Sequence, residues 1–201
     1  MIRSMISKTI NSTITTIINP FDVSGLLSRY FVTLDPLLNS HYEMAAPITF
    51  SGDFEIEVEF YIADVSSIAS AAMIFGNSAD WRDNVLFVTS GGDLIIRSDN
   101  FVTISVSNVI TSSKLHKIKY IKSGSSIQGF LNGTEILLPT AFDTIDFNMI
   151  GSRYTGEYFF DGIIANAKFT DKSGASDVVT TFKLDQATAN TESSIEGNNS
   201  V

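Results

Sequence analysis

From residue 30 onward, apolar and polar residues alternate in short runs separated by Gly, Asn, Asp and Ser, the period-two pattern of strands with one buried face. The clearest run is FEIEVEFY at 54–61, where Phe54, Ile56, Val58 and Phe60 point one way and Glu55, Glu57 and Glu59 the other. Comparable runs predict strands at 72–75, 85–89, 94–97, 101–106, 115–122, 127–131, 147–150, 158–160, 163–169 and 178–184. Turn chemistry joins several of them. Ser90, Gly91 and Gly92 link one pair, and Ser123, Gly124 and Ser125 link another. Asn132 and Gly133 form the dipeptide preferred by the two-residue hairpin turn whose twist suits its flanking strands. Near the end of the pattern, Ile164, Ala167 and Phe169 slip by one residue from strict alternation, which predicts a bulge at Ala165 and Asn166. Many short strands without a central helix predict an all-β fold, a two-sheet antiparallel sandwich.

The first twenty residues follow a different rule. Ile2, Ile6, Ile10, Ile14 and Ile18 recur at a helical spacing, with Met1, Met5 and Ile17 beside them. The many β-branched Thr and Ile residues make such a helix marginal in isolation, so its stripe calls for a surface to pack on. That surface is either the chain's own sandwich, a second copy, or a larger assembly. Pro20 predicts the end of the segment. From 187 to 201 the chain turns polar, and an extended tail is expected. The predicted organisation is therefore an N-terminal helical arm at 1–29, a sandwich at 30–185, and a tail at 186–201.

Composition narrows the function classes. The 15 Phe and a hydrophobic share of 44% suffice to fill the layer between two sheets. The absence of Cys removes disulfide and thiolate chemistry. A net charge of -9 argues against a nucleic-acid partner. Lys114, Lys117, Lys119 and Lys122 are the one basic cluster, expected on a solvated sheet face opposite carboxylates. No run approaches the roughly 18 continuous apolar residues of a membrane span, and the first twenty residues lack a signal-peptide core, so a protein that is soluble, or delivered by an assembly, is expected.

Three segments in order resemble a known family: SGDFEIEVEFY at 51–61, LHKIKYIKSGSSIQGFLNGTE at 115–135, and IGSRYTGEYFFDGIIANAKFTD at 150–171. They are similar to concanavalin A-like, laminin G-like and pentraxin-like domains. There, a strand after a Gly-Asp turn is followed by a strand pair meeting at Asn-Gly, and then by an Ile-Gly, Phe-Asp-Gly, Ile strand. The resemblance implies a jelly-roll sandwich. With its apolar arm and polar tail, the chain looks most like appendage proteins of tailed bacteriophages. This implies a non-enzymatic virion structural or decoration component, exposed on the particle or otherwise extracellular. Its partners would be other virion proteins, further copies of itself and a cell-surface glycan. The arm lies outside the resemblance, and it is its helical stripe that makes Ile2, Ile6, Ile10, Ile14 and Ile18 the candidate assembly interface.

Candidate chemistry falls into three groups. Glu55, Glu57 and Glu59 resemble the Glu-x-Asp-x-Glu strand of a glycoside hydrolase family that shares this sandwich, but the middle acid differs. Retaining hydrolysis also needs carboxyl groups about 5 to 5.5 Å apart, against roughly 13 Å between Cα atoms at i and i+4 of a strand. Pairing of the three glutamates with the lysine strand is expected instead, and His41 and His116, the two histidines, accompany no nucleophile motif. A cofactor is not expected. Calcium in rim loops is a trait of the resembled family, and Asp80 and Asp83 are the candidate ligands. Sugar binding is the third possibility, with Trp81, Tyr154 and Tyr158 as stacking faces and Asn84 and Arg153 as hydrogen-bonding groups. An adhesin module of this kind is the alternative to a purely structural role.

Overall fold

A computed structural model describes residues 32–34, 41–79, 83–153 and 158–183. Among the described residues thirteen strands run in chain order: β1 Val32–Leu34, β2 Tyr42–Phe50, β3 Phe54–Ile62, β4 Ala72–Gly76, β5 Val85–Val88, β6 Leu94–Arg97, β7 Thr103–Val106, β8 Lys114–Ser123, β9 Ser126–Leu131, β10 Thr134–Ala141, β11 Ile145–Ile150, β12 Gly162–Asp171 and β13 Val178–Lys183. A single 3-10 turn at Val65–Ser67 is the only helical element among the described residues. It is capped by Asp64, whose Oδ1 accepts from the N–H of Ser66 at 2.9 Å.

All pairings are antiparallel. One sheet has the order β1-β12-β3-β8-β9-β10, with β13 alongside β1 on the outer edge of β12; the other has the order β2-β11-β4-β5-β6-β7. The fold is thus a two-sheet antiparallel sandwich, as the alternation predicts. Its core is the layer of inward side chains. Phe50, Phe54, Phe75, Phe147, Phe169 and Phe182 form a connected aromatic string there, with neighbouring centroids 4.6 to 6.3 Å apart.

Local motifs fold as their chemistry dictates. Asn132 and Gly133 both take positive φ, 52° and 82°, and the Asn132 side chain accepts the N–H of Lys117 at 2.8 Å. The Gly-Asp turn before β3 acts as a clasp, because Asp53 Oδ1 accepts the N–H of Gly124 at 2.7 Å and so ties the β8–β9 turn to the start of β3. The expected bulge in β12 is present, as a register shift between Ile164 and Asn166 opposite β3.

Two expectations are corrected. Residues 158–160 are not a strand, because Tyr158 adopts φ 56° and breaks the extended run. Lys122 does not join the solvated lysine face: it shares parity with buried Ile118 and Tyr120. Its ammonium is drawn onto the carbonyls of Gly124, at 2.8 Å, and Gly52, at 3.2 Å.

The two long edge strands are irregular. In β2, Ile48 and Glu43 pair with Phe147 and Met149, so an excursion containing exposed Pro47 faces Asn148. In β10 the register shifts twice, and Pro139 falls in the second shift beside Leu138, which is 71% exposed. Both prolines occupy positions where no ladder donor is missed. The arm at 1–29 and the tail at 186–201 lie outside the described residues.

Candidate functional site

One end of the sandwich gathers the turns that precede β3, β5, β7, β9 and β11, and it is rich in Asn and Asp. Asn77, just after β4, donates from Nδ2 to Asp146 Oδ2 at 2.7 Å. The side-chain oxygen of Asn77 accepts the N–H of Ala79 at 2.8 Å. Asn148 Oδ1 accepts the N–H of Ser78 at 2.7 Å, and Asn148 Nδ2 donates to the Ser78 hydroxyl at 2.5 Å. Asn84 Nδ2 donates to Asp99 Oδ1 at 3.2 Å, while Asn84 Oδ1 accepts the N–H of Asp146 at 3.1 Å. Asn100 donates to Asp143 Oδ2, and Asp143 Oδ1 accepts the N–H of Thr144 at 2.9 Å.

These bonds cross-link the β4–β5, β6–β7 and β10–β11 connections to the outer residues of β11. The amide of Asn100 and the N–H of Thr144 hold Asp143 below the usual carboxylate range. Asn84 is 2% exposed, with both ends of its amide engaged, so it positions Asp99 and β11 rather than reaching out to a ligand. Its φ of 55° is one that Asn tolerates better than most residues.

The other sequence-predicted sugar residues are divided. Trp81, Asp80 and Tyr154 lie outside the described residues. Arg153 and Tyr158 remain against β4: Tyr158 accepts the N–H of Met73 through its carbonyl at 3.1 Å, and a Cβ on Gly76 would lie 2.7 Å from that of Arg153. The Arg153 guanidinium sits 4.0 Å above the centroid of the Tyr158 ring, so one face of that ring is already covered. Asp83 is buried at the foot of the rim. Among the described residues, no group of three or more His, Cys, Asp or Glu is arranged to hold a metal ion.

Sequence reasoning missed one feature. Between β6 and β7, Ser98 donates its N–H to Val102 at 3.1 Å and closes a loop of Asp99, Asn100 and Phe101. Phe101 stands 57% exposed at φ 60°. The available signal was the Asp-Asn pair before Phe101, which marks a hairpin loop rather than the start of a strand.

The glutamates of β3 lie on the outer face of the other sheet, opposite β8 and β12. Lys119 meets Glu55 at 2.8 Å, Lys117 lies 3.6 Å from Glu57 and 3.7 Å from Glu59, and Lys168 lies 3.5 Å from Glu57. Lys172 also pairs with Glu55, and Asn166 donates to Glu59 at 3.1 Å. Partial burial pushes the Glu55 carboxyl up, but the bonds and charges of Lys119 and Lys172 outweigh it, and the net shift is downward. His116 is buried against Phe60, and its Nε2 is 2.9 Å from the carbonyl of Thr111. Burial pushes its pKa down, against the Thr111 bond and with the nearby charge of Lys114.

No family model matches the sequence, and no curated protein matches it. Solved structures with some likeness include domain 4 of a GH43 extracellular arabinanase from Geobacillus stearothermophilus, in complex with arabinotriose. That match has 13% identity and a TM-score of 0.45, covering 60% of this chain and 61% of that one. Mouse laminin alpha1 chain domains LG4-5 match at 14% and 0.45, covering 73% and 42% respectively. The CBM40 of Ruminococcus gnavus IT-sialidase, bound to alpha2,3 sialyllactose, matches at 14% and 0.47, covering 68% and 85%. The chain thus spans less than two thirds of the length of the arabinanase domain and of the laminin domain pair. Among the described residues, no helix is long and apolar enough to cross a membrane.

Proposed function

We propose that this chain is a non-catalytic, glycan-binding sandwich module that acts through the Asn/Asp rim. The observation that carries the reading is the cross-linked set of amides and carboxylates from Asn77 to Asn148. Asn77, Asn84 and Asn148 are engaged at both ends of their amides and hold the rim in shape, while exposed Asn100, whose amide donates to Asp143, presents the kind of paired donor and acceptor that sugar hydroxyls match. A rim already tied together loses little freedom when a ligand adds to it. The non-catalytic part rests on Glu55, Glu57 and Glu59. Each is engaged by a lysine, and Glu55 is shifted away from the raised pKa that a general acid requires. Calcium forms no part of the proposal. Exposure on a virion is the setting suggested by the sequence resemblance, and docking of the module through its isoleucine arm is suggested by the helical spacing of that arm's apolar residues.

The test is a glycan array probed with the purified chain and with Asn100→Ala. The wild type is expected to bind a defined set of sugars. The variant is expected to bind them at least about tenfold more weakly, the scale of one lost hydrogen bond to a charged or well-ordered partner. A wild type that binds no glycan sinks the proposal.

A further inference from the structure

Six non-glycine residues among those described adopt positive φ: Asn84, Phe101, Asn108, Ser113, Asn132 and Tyr158. The three asparagines tolerate this conformation, and Ser113 is small and donates its hydroxyl to the carbonyl of Ala63 at 3.0 Å. Tyr158 has its ring stacked beneath Arg153. Phe101 has no such compensation. It is the only aromatic among the exposed large hydrophobic residues described, and it occupies the last position of a three-residue hairpin loop, where Gly or Asn is the ordinary choice. Folding therefore gains little from this ring, and the backbone beneath it is strained.

The surroundings of the ring are polar and held in place. Asn100, the preceding residue, is bonded to Asp143. Asp99 is held through its N–H by the carbonyl of Thr144, at 3.0 Å, and through its carboxylate by Asn84. On the other side, Thr103 donates its hydroxyl to the Phe101 carbonyl at 3.2 Å and accepts from Arg97 Nε at 2.9 Å. An exposed aromatic ring on a loop whose own and flanking residues carry an amide, carboxylates, a hydroxyl and a guanidinium offers the two kinds of contact a pyranose needs. The sugar's C–H face can stack, and its hydroxyls find partners at the edge.

We infer that Phe101 is the stacking platform of the rim and takes a single sugar ring with an apolar C–H face, a terminal or accessible residue of a glycan. This rests on the glycan-binding reading and gives it a location: a shallow site on a turn tip, without an enclosing cleft. It also explains why a residue so poorly suited to its backbone stands there, since Phe101 serves the ligand at the expense of the loop.

The test compares wild type, Phe101→Gly and Phe101→Tyr on one glycan array, with melting temperatures measured in parallel. Phe101→Tyr is expected to keep the wild-type hits. Phe101→Gly is expected to lose at least about tenfold in affinity for those hits while melting at the same or a higher temperature, because glycine relieves the positive φ. Binding lost while stability holds or rises is a signature that a merely structural phenylalanine does not produce. Wild-type affinity retained by Phe101→Gly overturns the platform and leaves the glycan reading standing. A lower melting temperature for Phe101→Gly also overturns it, by showing that the ring supports the fold. A wild type without hits removes both proposals.

Discussion

Tyr120 lies fully buried on β8, and its hydroxyl has no hydrogen-bond partner among the described residues. Burial raises its pKa well above the usual phenol value, so the group stays neutral. A buried hydroxyl without a partner opposes folding. Tyr120→Phe is therefore expected to be neutral or to stabilise the chain by about 1 kcal/mol, read from urea unfolding at constant m-value; a marked loss of stability would contradict this account. The ring itself is well placed over Gly129, where an added Cβ would come within 2.9 Å of it. At this scale the sequence is half legible. Parity announces that position 120 faces inward, and Glu55, Glu57 and Glu59 meet the expected lysines at 117 and 119. What parity cannot announce is a contact between distant segments. Asn84 reads as a loop amide available to a ligand, whereas Asp99, 15 residues on, and Asp146, 62 residues on, occupy both its ends. Phe101 reads as the first residue of a strand because its backbone angle leaves no trace in the hydrophobic pattern.

Hairpins were the most legible elements, because their turns are chemically specific. Asn132 and Gly133 turn as expected, and the glycine at 92 shows how much one such position carries. Gly92 has φ 77°, an added Cβ would lie 2.3 Å from the carbonyl oxygen of Ile110, and its own carbonyl accepts the N–H groups of Val109 and Ile110. Strand β2 escaped prediction for a physical reason: an edge strand interrupted by an excursion at Pro47 does not alternate. The supposed strand at 158–160 failed for the complementary reason, since apolar Tyr158, Phe159 and Phe160 sit on a chain that turns. The isoleucine arm gives rise to a prediction of its own. If the isoleucine stripe serves docking, deletion of residues 1–20 is expected to leave the circular dichroism spectrum and melting temperature of the sandwich intact. The same deletion is expected to abolish self-association in analytical ultracentrifugation. A truncated chain that still self-associates, or one that no longer folds, would refute the docking role.

For the molecule as a whole, acid is expected to act in two stages. His116 is buried in its neutral form with a lowered pKa, so below its ordinary value of 6.5 the unfolded chain binds a proton that the folded chain refuses. Its contribution is complete above pH 6.5 and is lost as pH falls through the folded-state value. Glu55 is lowered from 4.5, so its ion pairs contribute fully above that pH and are lost beneath it. Urea midpoints should hold steady from pH 8 to about 6.5, decline gently below it, and fall again below about 4.5. His116→Gln should remove the first decline and spare the second; an unchanged profile in that variant would show that the imidazole is not responsible. The largest consequence for behaviour in a crowded setting comes from Pro47 and Pro139. A β-rich protein shown in many copies at high local concentration risks zippering with its neighbours through open backbone, yet here each long border carries a residue with no N–H to offer and a kink that spoils alignment. Such a module can be packed densely and still keep its faces and turn tips available to something else.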